Sequence, residues 1–212
     1  MGLRNSLLSG LSKQLGHPRG LRGLVVGSLL NRGNRPAVAG AVEALGLRAG
    51  ETAADIGFGG GIGLTLLLDR VGEQGTVHGV DISETMLAKA RRRHRTDKRL
   101  QTHPGSITGL PLIDDSVDAA ITVNTIYFVE KLDRAFAEVA RVLTAGGRFV
   151  VGIGAPEGMR RNLVTQYGFR LRPVDEVIAT LATAGFSLEK NQTLAAGPLT
   201  FHLLVARSGT VP

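Results

Sequence analysis

The chain contains no cysteine, which excludes disulfides, thiolate nucleophiles and cysteine-ligated zinc and removes any compositional case for an oxidising compartment. Aromatic residues make up 4% of it, so little ring surface is available for stacking on unpaired bases. The five histidines form no close pair at metal-ligand spacing. In the first thirty residues Arg4, Lys13, Arg19 and Arg22 interrupt the leucines and glycines, leaving no apolar stretch long enough for a signal core or a membrane span. A soluble, cytoplasmic protein is the resulting expectation.

The remaining composition is that of a globular chain: 212 residues, 43% hydrophobic and 20% charged, enough to bury one substantial core and too short for two catalytic domains. The net charge of +7 is concentrated. Residues 1–50 hold seven Arg or Lys against Glu43, and residues 89–99 hold seven against Asp97, so the rest of the chain is acidic. The organisation reads as an N-terminal helical extension over 1–44 followed by one domain over 45–212.

Within that domain short β-branched runs alternate with amphipathic stretches, the pattern of a mostly parallel sheet covered by helices on both faces. Strands are expected at Thr52–Ile56, Thr76–Val80, Leu100–His103, Val117–Val123 and Arg148–Ile153. Helices are expected over Ile62–Val71, after Ser83 as cap, over Leu132–Leu143 with Gly146 and Gly147 as its C-terminal cap, and over Val174–Ala184. Two closing strands, 186–192 and Leu199–Ala206, have no helix between them. They predict a hairpin, and with it a seven-stranded α/β fold of Rossmann-like type with an antiparallel C-terminal strand.

The most informative segment is Ala54-Asp55-Ile56-Gly57-Phe58-Gly59-Gly60-Gly61-Ile62-Gly63. Glycines that tolerate φ > 0 and leave N–H groups uncovered, placed between a strand and a helix N-terminus, suit a nucleotide-type ligand. A phosphate loop would require lysine where Leu64 stands. The dinucleotide fingerprint requires glycine or alanine five residues after its first glycine, and Ile62, Leu64 and Leu66 fill that place in the three possible frames. What remains is Asp55-x-Gly57-x-Gly59-x-Gly61.

On these residues the chain resembles the class I S-adenosylmethionine-dependent methyltransferases, whose first motif is an acidic residue followed by G-x-G-x-G after strand one. Val80-Asp81-Ile82-Ser83 is similar to the family's ribose-binding strand end, Leu110 to Asp118 to its approach to strand four, Arg141 to Arg148 to its helix-to-strand-five corner, and Ala184-Gly185-Phe186 to its lead into strand six. The resemblance covers roughly residues 45–206 and is closest to the small, ubiquinone-biosynthesis-like group. It implies S-adenosylmethionine as cofactor and S-adenosylhomocysteine as product. It assigns Asp55, Gly57, Gly59 and Gly61 to the cofactor loop, Asp81 to the ribose hydroxyls, Ile82 and Ile107 to the two faces of adenine, and Asn124 to the cofactor's amino-acid part. Where the family often places an acidic residue for the adenine amino group, this chain has Ser106.

Methyl transfer from a sulfonium needs mainly proximity, alignment and desolvation, with a base only where the acceptor must lose a proton. Tyr127, three residues after Asn124, is one candidate for that proton, and core packing is the alternative for it. His17 is the other candidate, with a surface or capping role as its alternative; His94 and His78 are weaker. Residues 1–30 suit a lid over an apolar acceptor. No metal is expected, since Asp114, Asp115 and Asp118 flank a turn and a strand. The leading expectation is an enzyme that methylates oxygen, carbon or nitrogen of a small-molecule or lipid-like acceptor. The alternative, motivated by a pI near 10.5 and the run Arg91, Arg92, Arg93, Arg95, Lys98, Arg99, is an RNA-binding protein or RNA methyltransferase on the same scaffold. The oligomeric state is open, a homodimer among the options.

Overall fold

Successive strand residues face opposite sides of a sheet buried on both faces, which sorts the core into two layers. The structure, a computed structural model, describes residues 34–160, 169–196 and 199–209. Its sheet comprises β1 (Thr52–Ile56), β2 (Thr76–Asp81), β3 (Leu100–Pro104), β4 (Val117–Val123), β5 (Leu143–Gly154), β6 (Phe186–Ala196) and β7 (Leu199–Ser208). They lie in the order β3-β2-β1-β4-β5-β7-β6. The first five pair in parallel, and β7 runs antiparallel to both β5 and β6. The expected seven-stranded fold with its reversed C-terminal strand is therefore present.

Strand residues separated by one position face the same layer. Ala53, Ala119, Ile121, Val150, Leu203 and Val205 pack under α1 (residues 34–44), α2 (Ile62–Val71) and α3 (Glu84–Arg93). Ala54, Ala120, Phe149, Val151, Leu204 and Ala206 face α4 (Leu132–Val142) and α6 (Val174–Thr183), beyond the short α5 (Pro156–Arg160). In the second layer Phe149 packs edge-on to Phe136 and tilted against Phe186, at ring separations of 5.8 and 5.5 Å, a geometry that adds to simple burial.

One expectation is corrected. Gly146 and Gly147 do not cap a helix: α4 already ends at Leu143, which adopts extended geometry, and the β4–β5 register shifts between Val117 and Ala119. Gly146, at φ 72°, turns the chain inside the resulting irregularity. The end of the N-terminal extension forms α1. In residues 34–44 Ala37, Val38, Ala41 and Val42 are buried, and a Cβ at Gly40 would crowd the side-chain ends of Leu203 and Leu194. That helix belongs to the domain's core, whereas residues 1–33, including His17, lie outside the described residues.

The connection from β1 crosses to β2 on one side, while β4 pairs on the other. This reversal opens a crevice at the carboxyl ends of β1 and β4, the place where open α/β sheets bind ligands.

Candidate cofactor site

At that crevice the glycine spacing has a direct backbone cause. Gly57, Gly59 and Gly61 all occupy the left-handed region, at φ 74°, 50° and 78°, which strains any residue with a Cβ. Gly57 is also sterically bound to be glycine, because a Cβ there would run into the Thr125 side chain. The intervening Phe58 is buried beneath the loop against Gly79, so the only bulky side chain of the turn anchors it. The loop then enters α2, whose N-cap Gly61 provides no side-chain hydrogen bond and whose first turn contains no acidic residue. Its N-terminal N–H groups and partial positive charge are left for a ligand.

Asp55 and Asp81 approach this loop from neighbouring strands, and both are buried. Asp81 accepts the Gly59 N–H at Oδ2 and the Ser83 N–H at Oδ1, each at 2.8 Å. It thereby ties the glycine loop to the start of α3, where Ser83 Oγ also accepts the Met86 N–H. A carboxylate oxygen can accept more than one hydrogen bond, so each of these contacts is compatible with a second donor. Asp55 instead turns under the first turn of α2, where the missing side chain of Gly63 makes room for it beside Ile121. Burial, reinforced by the negative charge of Asp81, pushes its carboxyl up to about 8.

Across the crevice Asn124 sits at φ 58°, held by its N–H to the Gly152 carbonyl at 2.9 Å. Its side-chain Oδ1 is buried with no hydrogen-bond partner among the described residues. A buried unpaired acceptor is costly, and this one belongs to the residue directly after β4, the strand that pairs with β1. Thr125 and Thr122, which the sequence reading did not single out, brace the same corner; Thr122 donates to the Ile56 carbonyl at 2.9 Å.

Residues 54–151 match the methyltransferase domain family. Over these residues the chain is similar to known methyltransferases. The domain is 39% identical over 113 residues to a demethylmenaquinone methyltransferase of Tropheryma whipplei, an alignment covering 52% of this chain and 45% of that protein. It is 33% identical over 147 residues to a malonyl-[acyl-carrier protein] O-methyltransferase of Geobacter sulfurreducens, covering 62% and 54%. The chain thus spans about half the length of these curated relatives. Its fold matches that of a geranyl diphosphate C-methyltransferase from Streptomyces coelicolor A3(2) with a TM-score of 0.72 at 18% identity, over 92% of this chain and 84% of that one.

The remaining candidates fall unevenly around the crevice. Ile82 is 47% exposed at the end of β2, an apolar side chain left open beside Asp81. Ile107 is buried in the core with Val80 and Leu110, so it offers little free face to an adenine ring. Ser106 is exposed, and its hydroxyl already meets Thr108 through both the Thr108 hydroxyl, at 2.9 Å, and the Thr108 N–H, at 3.2 Å. Tyr127 does not fit a proton acceptor: it is buried, its hydroxyl accepts the Gly154 N–H at 2.6 Å, and burial raises its phenol further above the ordinary value. Its place is the core, beside Phe169.

His78 and His103 sit side by side on β2 and β3 with ring nitrogens 3.1 Å apart, away from the glycine loop, and burial lowers His78 to about 4. His94 meets the Thr65 hydroxyl on the far side of α2. Of the acidic trio, Asp114 pairs with Arg141, and Asp118 accepts the Thr52 N–H. Among the described residues no helix is long and apolar enough to cross a membrane.

Proposed function

We propose that the protein transfers a methyl group from S-adenosylmethionine to a small-molecule or lipid-like acceptor. The observation that carries the reading is the convergence of three features on one crevice: the left-handed glycine loop, the buried Asp81 carboxylate beside it, and the unpartnered Asn124 Oδ1 opposite. These groups suit the cofactor's chemistry. Asp81 has acceptor sites for paired ribose hydroxyls, Asn124 Oδ1 for an ammonium, and the open apolar surface of Ile82 for a face of adenine. Ser106 stands where an acidic partner for the adenine amino group is expected, and Ile107 supports Val80 from the core.

When bound, the cofactor supplies an electrophilic methyl on a sulfonium, whose leaving electron pair returns to sulfur as a neutral thioether while the acceptor gains the methyl group. The chain's own contribution is positional. Asp81 and the glycine backbone would hold one part of the cofactor and Asn124 another, with Thr125 and Phe58 packed beside them to limit water. With Tyr127 locked to Gly154, the described residues provide no poised base, which favours acceptors that are nucleophilic without one. The names of the relatives, which include a demethylmenaquinone and an arsenite methyltransferase, agree with small acceptors.

Calorimetric titration with S-adenosylmethionine and, separately, NAD tests this reading. Binding of the first alone supports it, and binding of NAD alone sinks it. The RNA alternative loses part of its motivation, because Arg99 is engaged by Asp97 and by the Leu68 and Gly72 carbonyls, and Arg91 by Glu84 and Thr102. Salt-dependent RNA binding, borne by Arg92, Arg93, Arg95 and Lys98, would restore it.

A further inference from the structure

The chain after β4 has to hold Asn124 in a left-handed conformation that a non-glycine residue rarely adopts. The turn that follows, Ile126–Phe128, is a single 3-10 turn, too short to fix itself. Its outward carbonyls are instead collected by one side chain far along the sequence. Arg172 donates from Nη1 to the Ile126 carbonyl at 3.0 Å and from Nη2 to the carbonyls of Val129 and Glu130 at 2.7 and 3.2 Å. Two residues earlier, the Arg170 N–H donates to the Tyr127 carbonyl at 2.9 Å. The Arg172 side chain is only 12% exposed, and the acidic Glu176 stands 3.6 Å away and is itself largely exposed.

A guanidinium buried this deeply with so loose an ion pair is an expensive way to satisfy a surface loop. Its planar fork is also the one side chain able to reach three diverging carbonyls at once. The benefit lies in what the turn carries. On its N-terminal side Thr125 packs against Gly57 and Asn124 presents its unpartnered Oδ1, so the segment clamped by Arg172 is the wall of the crevice facing the glycine loop.

We infer that Arg172 is a positioning residue for the cofactor, acting through the 126–130 turn to hold Asn124 in its binding conformation. This rests on the reading of the crevice as an S-adenosylmethionine site. Lysine keeps the charge but has neither the reach nor the fork for three carbonyls, so Arg172→Lys separates the clamp from simple charge.

The test is a double-mutant cycle on cofactor affinity, with calorimetry on wild type, Arg172→Lys, Asn124→Ala and the double variant, and hydrogen exchange of the 126–130 amides in the ligand-free proteins. Arg172→Lys should weaken binding about tenfold and raise exchange across the turn, and the double variant should bind no more weakly than Asn124→Ala alone, because both act on one contact. Arg172→Gln, a second and shorter two-donor replacement, should behave likewise. Affinity unchanged in Arg172→Lys, losses that multiply in the double variant, or loss of the fold in both Arg172 variants would overturn the inference. Failure of the wild type to bind the cofactor is a separate outcome, visible in the first titration, and overturns the site reading itself.

Discussion

The N–H of Gly59 donates to Oδ2 of Asp81 at 2.8 Å, so the loop after β1 and the carboxylate at the end of β2 form one unit before any ligand arrives. The other oxygen of Asp81 holds the start of α3 through Ser83. The residue expected to bind ribose therefore also shapes the loop on which the rest of the cofactor would lie.

Replacing Asp81 by Asn puts an amide donor against either the Gly59 or the Ser83 N–H and removes the charge. Hydrogen bonds to charged groups contribute about 1.5–3 kcal/mol, so S-adenosylmethionine affinity should fall on the order of ten- to a hundredfold. Titration calorimetry reads this directly, and an unchanged affinity would mean that Asp81 is not a ligand.

Gly63 reverses the usual effect of alanine in a helix. Gly-to-Ala in a helix interior normally stabilises by about 1 kcal/mol, but here the new Cβ would meet the buried Asp55 carboxylate and Ile121. Gly63→Ala should lower the denaturation midpoint, with a cost on the order of 1–3 kcal/mol typical of overpacking. A stabilised variant would show that Asp55 has another position available.

Tyr127→Phe leaves the buried Gly154 N–H without its acceptor. The expected loss is about 1–3 kcal/mol of stability, seen as a lower melting temperature, while the pH dependence of turnover stays where it was. A shifted pH–rate profile at unchanged stability would return Tyr127 to a catalytic role.

Two buried groups impose opposite pH dependences on folding. Asp55 ionises at its ordinary 3.8 when unfolded but near 8 when folded. The unfolded chain thus loses that proton first, and stability falls as pH rises between those values, by up to about 1.4 kcal/mol per unit. His78 is lowered from 6.5 to about 4, so its contribution is lost as pH falls through that window. Between pH 4 and 6.5 the two slopes oppose each other. Above 6.5 only Asp55 remains, and Asp55→Asn should remove the decline up to pH 8 in urea denaturation midpoints. His78→Gln should instead soften the loss below 6.5. Parallel curves for wild type and Asp55→Asn from pH 6.5 to 8 would place the carboxylate in its ordinary range.

The strands and helices were legible because their signals are local. The strands β1, β4, β5 and β7 carry continuous buried runs, because helices cover both faces of the sheet, and the apolar positions of α2 and α4 recur at helical spacing. The glycine motif was legible for the same reason: a left-handed φ is a property of one residue, and only glycine tolerates it at Gly57, Gly59 and Gly61. The helix cap assigned to Gly146 failed because such a glycine fits a helix end and a strand irregularity equally well; strand pairing with Val117 decided between them.

By itself, then, the sequence determined the layered sheet, the position of the loop and the acidic residues flanking it, all set by backbone preference and by hydrophobic periodicity. Only the tertiary structure decided what each side chain does there. Tyr127 became a buried hydrogen-bond acceptor through Gly154, Ile107 a core residue, and Asp55 a carboxyl that holds its proton, while Arg172 reached a turn 46 residues earlier in the chain. Each of these depends on which distant groups share one small, dry volume, because burial and partner geometry govern both the ionisation of a side chain and the bonds it can form.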